Sequence, residues 1–139
     1  MRYSLRQMGS IAFESRGEPM TRLHWAAVGL AGITAGVHLY LYSVQGFLPF
    51  LLAGLGFLGA VVLLVAGVNR RLLYAVGVPF TASQIAVWFV QGMPEFALGV
   101  ADKTVQVALI GILVYLFVAE RTAAKDVVEP EPAPTVVAR

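Results

Sequence analysis

"LHWAAVGLAGITAGVHLYLYSVQGFLPFLLAGLGFLGAVVLLVAGVN", residues 23–69, contains no Asp, Glu, Lys or Arg. A hydrocarbon core of roughly 30 Å takes about 20 helical residues to cross, so this stretch has room for two spans. Gln45-Gly46 marks the turn between them, and Pro49 suits the first turn of the second. Further along the chain, Asn69-Arg70-Arg71 reads as a short charged turn, a third apolar run ends near Val90, Gly92-Met93-Pro94 opens the last connection, and a fourth run ends near Ala119. Helices are therefore expected over 23–44, 47–68, 72–90 and 97–119, after a polar segment 1–22 and before a Pro-rich tail 120–139. The composition agrees: of 139 residues 58% are hydrophobic and 13% charged, and the mean hydropathy of +0.77 lies outside the range of ordinary soluble domains. The expected fold is all-α, a four-helix up-and-down bundle crossing the cell membrane several times, with the lipid bilayer as its first partner.

Lys and Arg divide unequally between the ends of this bundle. Arg2, Arg6, Arg16, Arg22, Arg70, Arg71, Arg121, Lys125 and Arg139 fall on one side and Lys103 alone on the other. By the positive-inside rule both termini are expected in the cytoplasm. The net charge of +2 thus reports topology, and with no basic face there is no footprint for nucleic acid. The first apolar run is too long for a cleaved signal peptide and lacks a small-residue cleavage site. Met20 lies immediately before the first helix and is an alternative start, which would make residues 1–19 an overextended reading of the gene. The tail ending "EPEPAPTVVAR" is expected to be disordered.

The polar residues inside the spans recur at helical spacing. Thr34, His38, Tyr42 and Gln45 share one face of the first helix, and Tyr74, Gly77, Thr81, Gln84, Trp88 and Gln91 share one face of the third. His38 and Gln84 come to similar depth, within reach of pairing. A register shift of 46 residues sets His38 on Gln84, Tyr42 on Trp88 and Gln45-Gly46 on Gln91-Gly92, a hint of two related hairpins. Sixteen residues from Thr104 to Ala119 are short for a span, so the fourth helix should begin earlier and carry Asp102 and Lys103 at or just inside the outer interface. An outward-facing polar pocket of His38, Gln84, Trp88, Asp102 and Gln106 is the candidate site. The plainer readings stand beside it: His38 and Gln84 as packing hydrogen bonds between helices, Trp88, Tyr40 and Tyr42 as interfacial anchors, Asp102 and Lys103 as a solvated helix start.

Several chemistries find few or no residues. There is no cysteine, which removes disulfides, thiolate metal sites and CxxC redox chemistry. No Ser/His/Asp set, HExxH, Walker loop or GxGxxG helix start occurs, so no enzyme, catalytic residue, metal site or cofactor is expected. His24 and His38 lie fourteen residues apart, on one face about 21 Å apart as in dihaem helices, yet each iron would need a second ligand from a homodimer or a partner subunit. A small multidrug-type antiporter would need a carboxylate in the membrane, and the first three helices have none. Gly32 to Gly36 and Gly56 to Ala60 are small-xxx-small pairs, read as close packing within the bundle.

The segments "VHLYL", "FLLAGLGFLGAVVLL", "NRRLLYAVGVPFTASQIAVW" and "DKTVQVALI" resemble, in order, a family of small four-helix membrane proteins of halophilic archaea without an assigned activity. The resemblance covers 23–119 and implies the fold alone. Usage of Arg over Lys, eight to two, suits a GC-rich genome, while the basic balance departs from the acidic bias of halophile surfaces. The function expected is that of a non-enzymatic integral membrane protein, an accessory or assembly subunit of a membrane protein partner or homo-oligomer, or a binder of a small hydrophobic ligand at the outer pocket. The alternatives are a small oligomeric transporter or channel lined by His38, Gln84 and Gln106, and, third, haem- or quinone-linked electron transfer.

Overall fold

The computed structural model describes residues 19–128. The possible overextended start and the last eleven residues of the tail lie outside them. Four helices account for nearly all of the described chain: α1 (Arg22–Gln45), α2 (Leu48–Val65), α3 (Arg70–Val90) and α4 (Phe96–Val128), with no strand among the described residues.

Local chemistry sets each boundary. At the start of α1 the Thr21 backbone N–H donates to His24 Nδ1 at 3.1 Å, so a histidine takes the place that Glu or Gln holds in a capping box. Pro49 occupies the first turn of α2, where its missing N–H costs nothing. The Asn69 side chain accepts from the Leu72 N–H, and α3 consequently begins at Arg70, two residues before the expected start. Helix α2 stops at Val65 rather than at 68, because Gly67 turns left-handed at φ 79°. The Gly67 and Val68 N–H groups then return to the carbonyls of Leu64 and Leu63, the paired bonds of a Schellman motif. Gly92 (φ 82°) ends α3 in the same way, with Gly92 and Met93 bonded back to Phe89 and Trp88.

Helix α4 corrects the expected tail. It continues to Val128 instead of ending near 119, since Ala123, Ala124 and Lys125 favour helix and no breaker intervenes before Pro130. Its 33 residues reach about 50 Å at 1.5 Å per residue, well beyond a hydrocarbon core of roughly 30 Å.

Connections of two, four and five residues turn the chain back each time. The helices form a ring in which α1 packs on α2 and α4, α3 packs on α4, and the α2–α3 seam is the thinnest. Glycines set the close seams. A Cβ on Gly54 would stand 2.7 Å from Leu39 of α1, one on Gly56 would strike Phe80 of α3, and one on Gly77 would press on Leu113 of α4. Gly32 and Gly36 correct an expectation, because a Cβ on either would meet nothing within 4 Å. They lie on the outward face of α1, opposite its buried Ala27, Ala31, Ala35 and His38.

Apolar side chains face outward as well as inward, where Phe57, Leu64, Leu109, Leu113 and Leu116 form a core. Ile33, Leu52, Val62, Val76, Val90 and Val107 are exposed, while Thr34, His38, Thr81, Asp102 and Gln106 are buried. Water would drive the opposite arrangement. All four helices are long and apolar enough to cross a membrane.

Candidate functional site

His38 lies seven residues before the end of α1, and Asp102 lies six residues after the start of α4. Both therefore enter the bundle from the end opposite Arg22 and Arg70, about 9–10 Å deep. Asp102 is 3% exposed, which overturns its reading as a solvated helix start. Helix α4 packs this face against α1, and the carboxylate meets donors from both helices.

Thr34 Oγ1 donates to Asp102 Oδ1 at 2.6 Å, Lys103 Nζ donates to Oδ2 at 2.7 Å, and Gln106 Nε2 donates to Oδ2 at 2.9 Å. Gln106 Nε2 also donates to Thr34 Oγ1 at 3.0 Å. Thr34 and Gln106 have no exposed surface. The carboxylate is thus met by an ammonium and two neutral donors, the pairing that burial of such a group requires. Gln106 Oε1 is enclosed without a donor.

His38 sits over this network. Its Nδ1 donates to the Thr34 carbonyl at 2.8 Å, which leaves Nε2 of a neutral ring as an acceptor. Asp102 Oδ2 stands 4.0 Å from Nδ1, and the ring packs against Phe50 and Phe57 at centroid distances of 6.1 and 5.8 Å. The expected pairing of His38 with Gln84 is not made. Gln84 Nε2 reaches only Ser83 Oγ, at 3.4 Å, because α1 and α3 stand across the ring from each other and their backbones do not come close.

A cavity of about 60 Å³ opens above His38 and Asp102, room for a few waters or a small polar group. Of the five expected site residues, His38, Gln84, Trp88 and Asp102 line it, and Gln106 lies beneath, bonded to Asp102. Gln45 and Gln91, the last polar positions on the two stripes, line it too, as do Phe50 and Lys103. Trp88 has a structural task besides: its Nε1 donates to the Pro94 carbonyl at 2.9 Å and its ring stacks on Phe96. A Cβ on Gly99 would collide with that indole. The connection beside it carries left-handed backbone at Met93 (φ 58°) and Glu95 (φ 49°), conformations that disfavour side chains other than Gly, Asn and Asp.

Two members escaped the expected pocket. Thr34 is the hub of the network, and its signal was the four-residue spacing to His38. Lys103 neutralises Asp102 from the adjacent position, which helical spacing would have placed on another face; its long side chain curls back instead.

No group of three or more His, Asp or Glu side chains stands close enough to hold a metal ion among the described residues. The cluster of Thr34, His38 and Asp102 has the residue types of a hydroxyl nucleophile with its base, but the hydroxyl is enclosed and committed to Asp102 and Gln106.

Fold and site together define a described chain that is all-helical, with four membrane-length helices and a polar network buried between α1 and α4. The chain belongs to DUF7475, a family of unknown function whose model matches residues 11–117. No curated protein and no solved structure matches it.

Proposed function

We propose that this is an integral membrane protein of the cell membrane, with its arginine-rich end and both termini in the cytoplasm, that binds a small amphipathic ligand in the cavity at the opposite end. The observation that carries this reading is the buried Asp102–Thr34–Gln106–Lys103 network beneath a cavity with an imidazole acceptor at its floor and aromatic walls. Intramembrane charges are costly and are held where function uses them. A ligand that seats one N–H or O–H group in this small cavity would satisfy His38 Nε2, with its apolar part extending outward past Phe50 and Trp88. The role is binding rather than catalysis, since the one hydroxyl near a base is sealed from the cavity. The preference for Arg over Lys and the resemblance of four segments to halophile membrane proteins favour an archaeal source.

Native mass spectrometry of protein extracted gently from its own membranes tests this. A small retained mass, lost in His38→Leu and in Gln84→Leu, is the expected result. A bare chain in the wild type would sink the binding reading, and a second protein in its place would favour an accessory subunit.

The buried carboxylate favours one second reading, a small transporter in which Asp102 exchanges its Lys103 partner for a cation or proton. Flux into liposomes that vanishes in Asp102→Asn would support it.

A further inference from the structure

The other end of the bundle holds a second polar site that the ligand cavity does not involve. Between the starts of α1 and α3 and the late turns of α4 lies an open cleft of about 480 Å³, with Arg22, His24, Arg70 and Glu120 on its walls. Because the Thr21 N–H donates to His24 Nδ1, the proton of the neutral imidazole is on Nε2. Among the described residues that Nε2–H has no partner within hydrogen-bond reach, although His24 is 5% exposed. Arg70 Nε and the hydroxyl of Tyr74, whose ring lies 6.3 Å from His24, are also buried without partners. Each of these orphans can donate, and a buried donor left without an acceptor destabilises the fold.

Glu120 is the acceptor nearest to His24 and Tyr74, yet it does not close on the imidazole. Its Oε1 stands 3.9 Å from His24 Nε2, beyond hydrogen-bond reach, and its backbone carbonyl is taken by Arg71. Two guanidinium groups against one carboxylate leave the cleft positive, and the first turns of α1 and α3 add the positive ends of two helix dipoles.

We infer that this cleft binds a phosphate group, its oxygens accepting from His24 Nε2 and Arg70 and its charge balanced by Arg70 and Arg22. A tetrahedral anion with several acceptor oxygens suits donors that arrive from two different helices. Leu23 and Tyr115, exposed on the same walls, offer an apolar surface beside the polar one, as the headgroup and upper acyl chain of a phospholipid would require. Free phosphate satisfies the same donors but leaves that surface unused. Glu120 opposes the anion and sets a ceiling on affinity.

The test is 15N NMR of the imidazoles in the full chain, in maltoside micelles, titrated separately with phosphatidylglycerol and with potassium phosphate. His24 and His38 are the only histidines, and a His24→Gln sample assigns the signals. The expected result is a saturable shift of His24 and not of His38, weakened about tenfold in Arg70→Gln and tightened about threefold in Glu120→Gln. Saturation by the lipid alone identifies a headgroup site. Equal saturation by potassium phosphate identifies a site for the free ion. Should Arg70→Gln not fold, Arg22→Gln carries the same expectation of weaker binding. Absence of a saturable His24 shift with both probes, indifference to the arginine substitutions in folded protein, or weaker binding in Glu120→Gln would each overturn the inference.

Discussion

The Thr34 hydroxyl donates to Asp102 and accepts from Gln106, a double use that valine, its nearest apolar isostere, cannot reproduce. Thr34→Val is expected to lower stability in detergent by about 1–3 kcal/mol, because Asp102 loses a donor where no water replaces it, while Thr34→Ser keeps most of it. Gln84→Leu should fall within about 0.5 kcal/mol of wild type, since Gln84 reaches only Ser83. Reversible unfolding of the three variants in one detergent checks both expectations. An equal cost for Thr34→Val and Gln84→Leu would show that the network is not a stabilising unit. His38 was conspicuous in the sequence as an imidazole among apolar neighbours. Asp102 and Gln106 were legible as members of its pocket, but not which of them bonds to what, because Asp102 lies 64 positions further on and nothing local says that α4 rather than α3 faces α1.

The same contrast governs the glycines along each helix. Gly36 and Gly54 both occupy helix interiors in small-residue patterns, and only packing separates them. A Cβ on Gly54 meets Leu39 at 2.7 Å and the Ala35 carbonyl at 3.3 Å. Gly54→Ala should therefore destabilise the α1–α2 seam by about 1–3 kcal/mol. Gly36→Ala should be neutral or stabilising by up to about 1 kcal/mol, as an exposed helical Gly replaced by Ala. Thermal unfolding of the two variants decides, and a greater loss for Gly36→Ala would contradict the packing. The helix ends followed the sequence closely where a Gly or Pro punctuated it. They departed at 120–128, where the proline-rich composition of the last residues stood for the whole tail although the nearer residues favour helix.

For the whole molecule, four helices long and apolar enough to cross a membrane carry apolar side chains on their outward faces, a surface suited to a bilayer. With the arginine-rich end in the cytoplasm, a single cysteine in place of Glu95, between α3 and α4, should react with an impermeant maleimide added to intact cells. One in place of Lys125, near the end of α4, should react only after the membrane is opened. The natural chain has no cysteine, so neither signal has a background. Labelling of both positions, or of position 125 alone, from outside would reverse or abolish the proposed orientation. The cavity at His38 and the cleft at His24 lie at opposite ends of the bundle, joined by α1 and α4, which run through both; the proposed orientation would set them in opposite leaflets.

The sequence alone determined that the chain forms four long apolar helices and where most of the turns fall, because both depend on local composition and on Gly and Pro acting within a few residues. It also marked the polar stripes, since helical spacing reads out a face. Tertiary structure alone decided which stripes meet: Asp102 with Thr34, His38 with the same threonine instead of Gln84, Gly54 buried and Gly36 not. Hydrophobic periodicity normally tells a helix which way is in. Here it is nearly silent, because apolar side chains occupy the outward faces as well as the inward ones, so the choice of neighbour rests on a few glycine contacts and buried hydrogen bonds made between residues far apart in the chain.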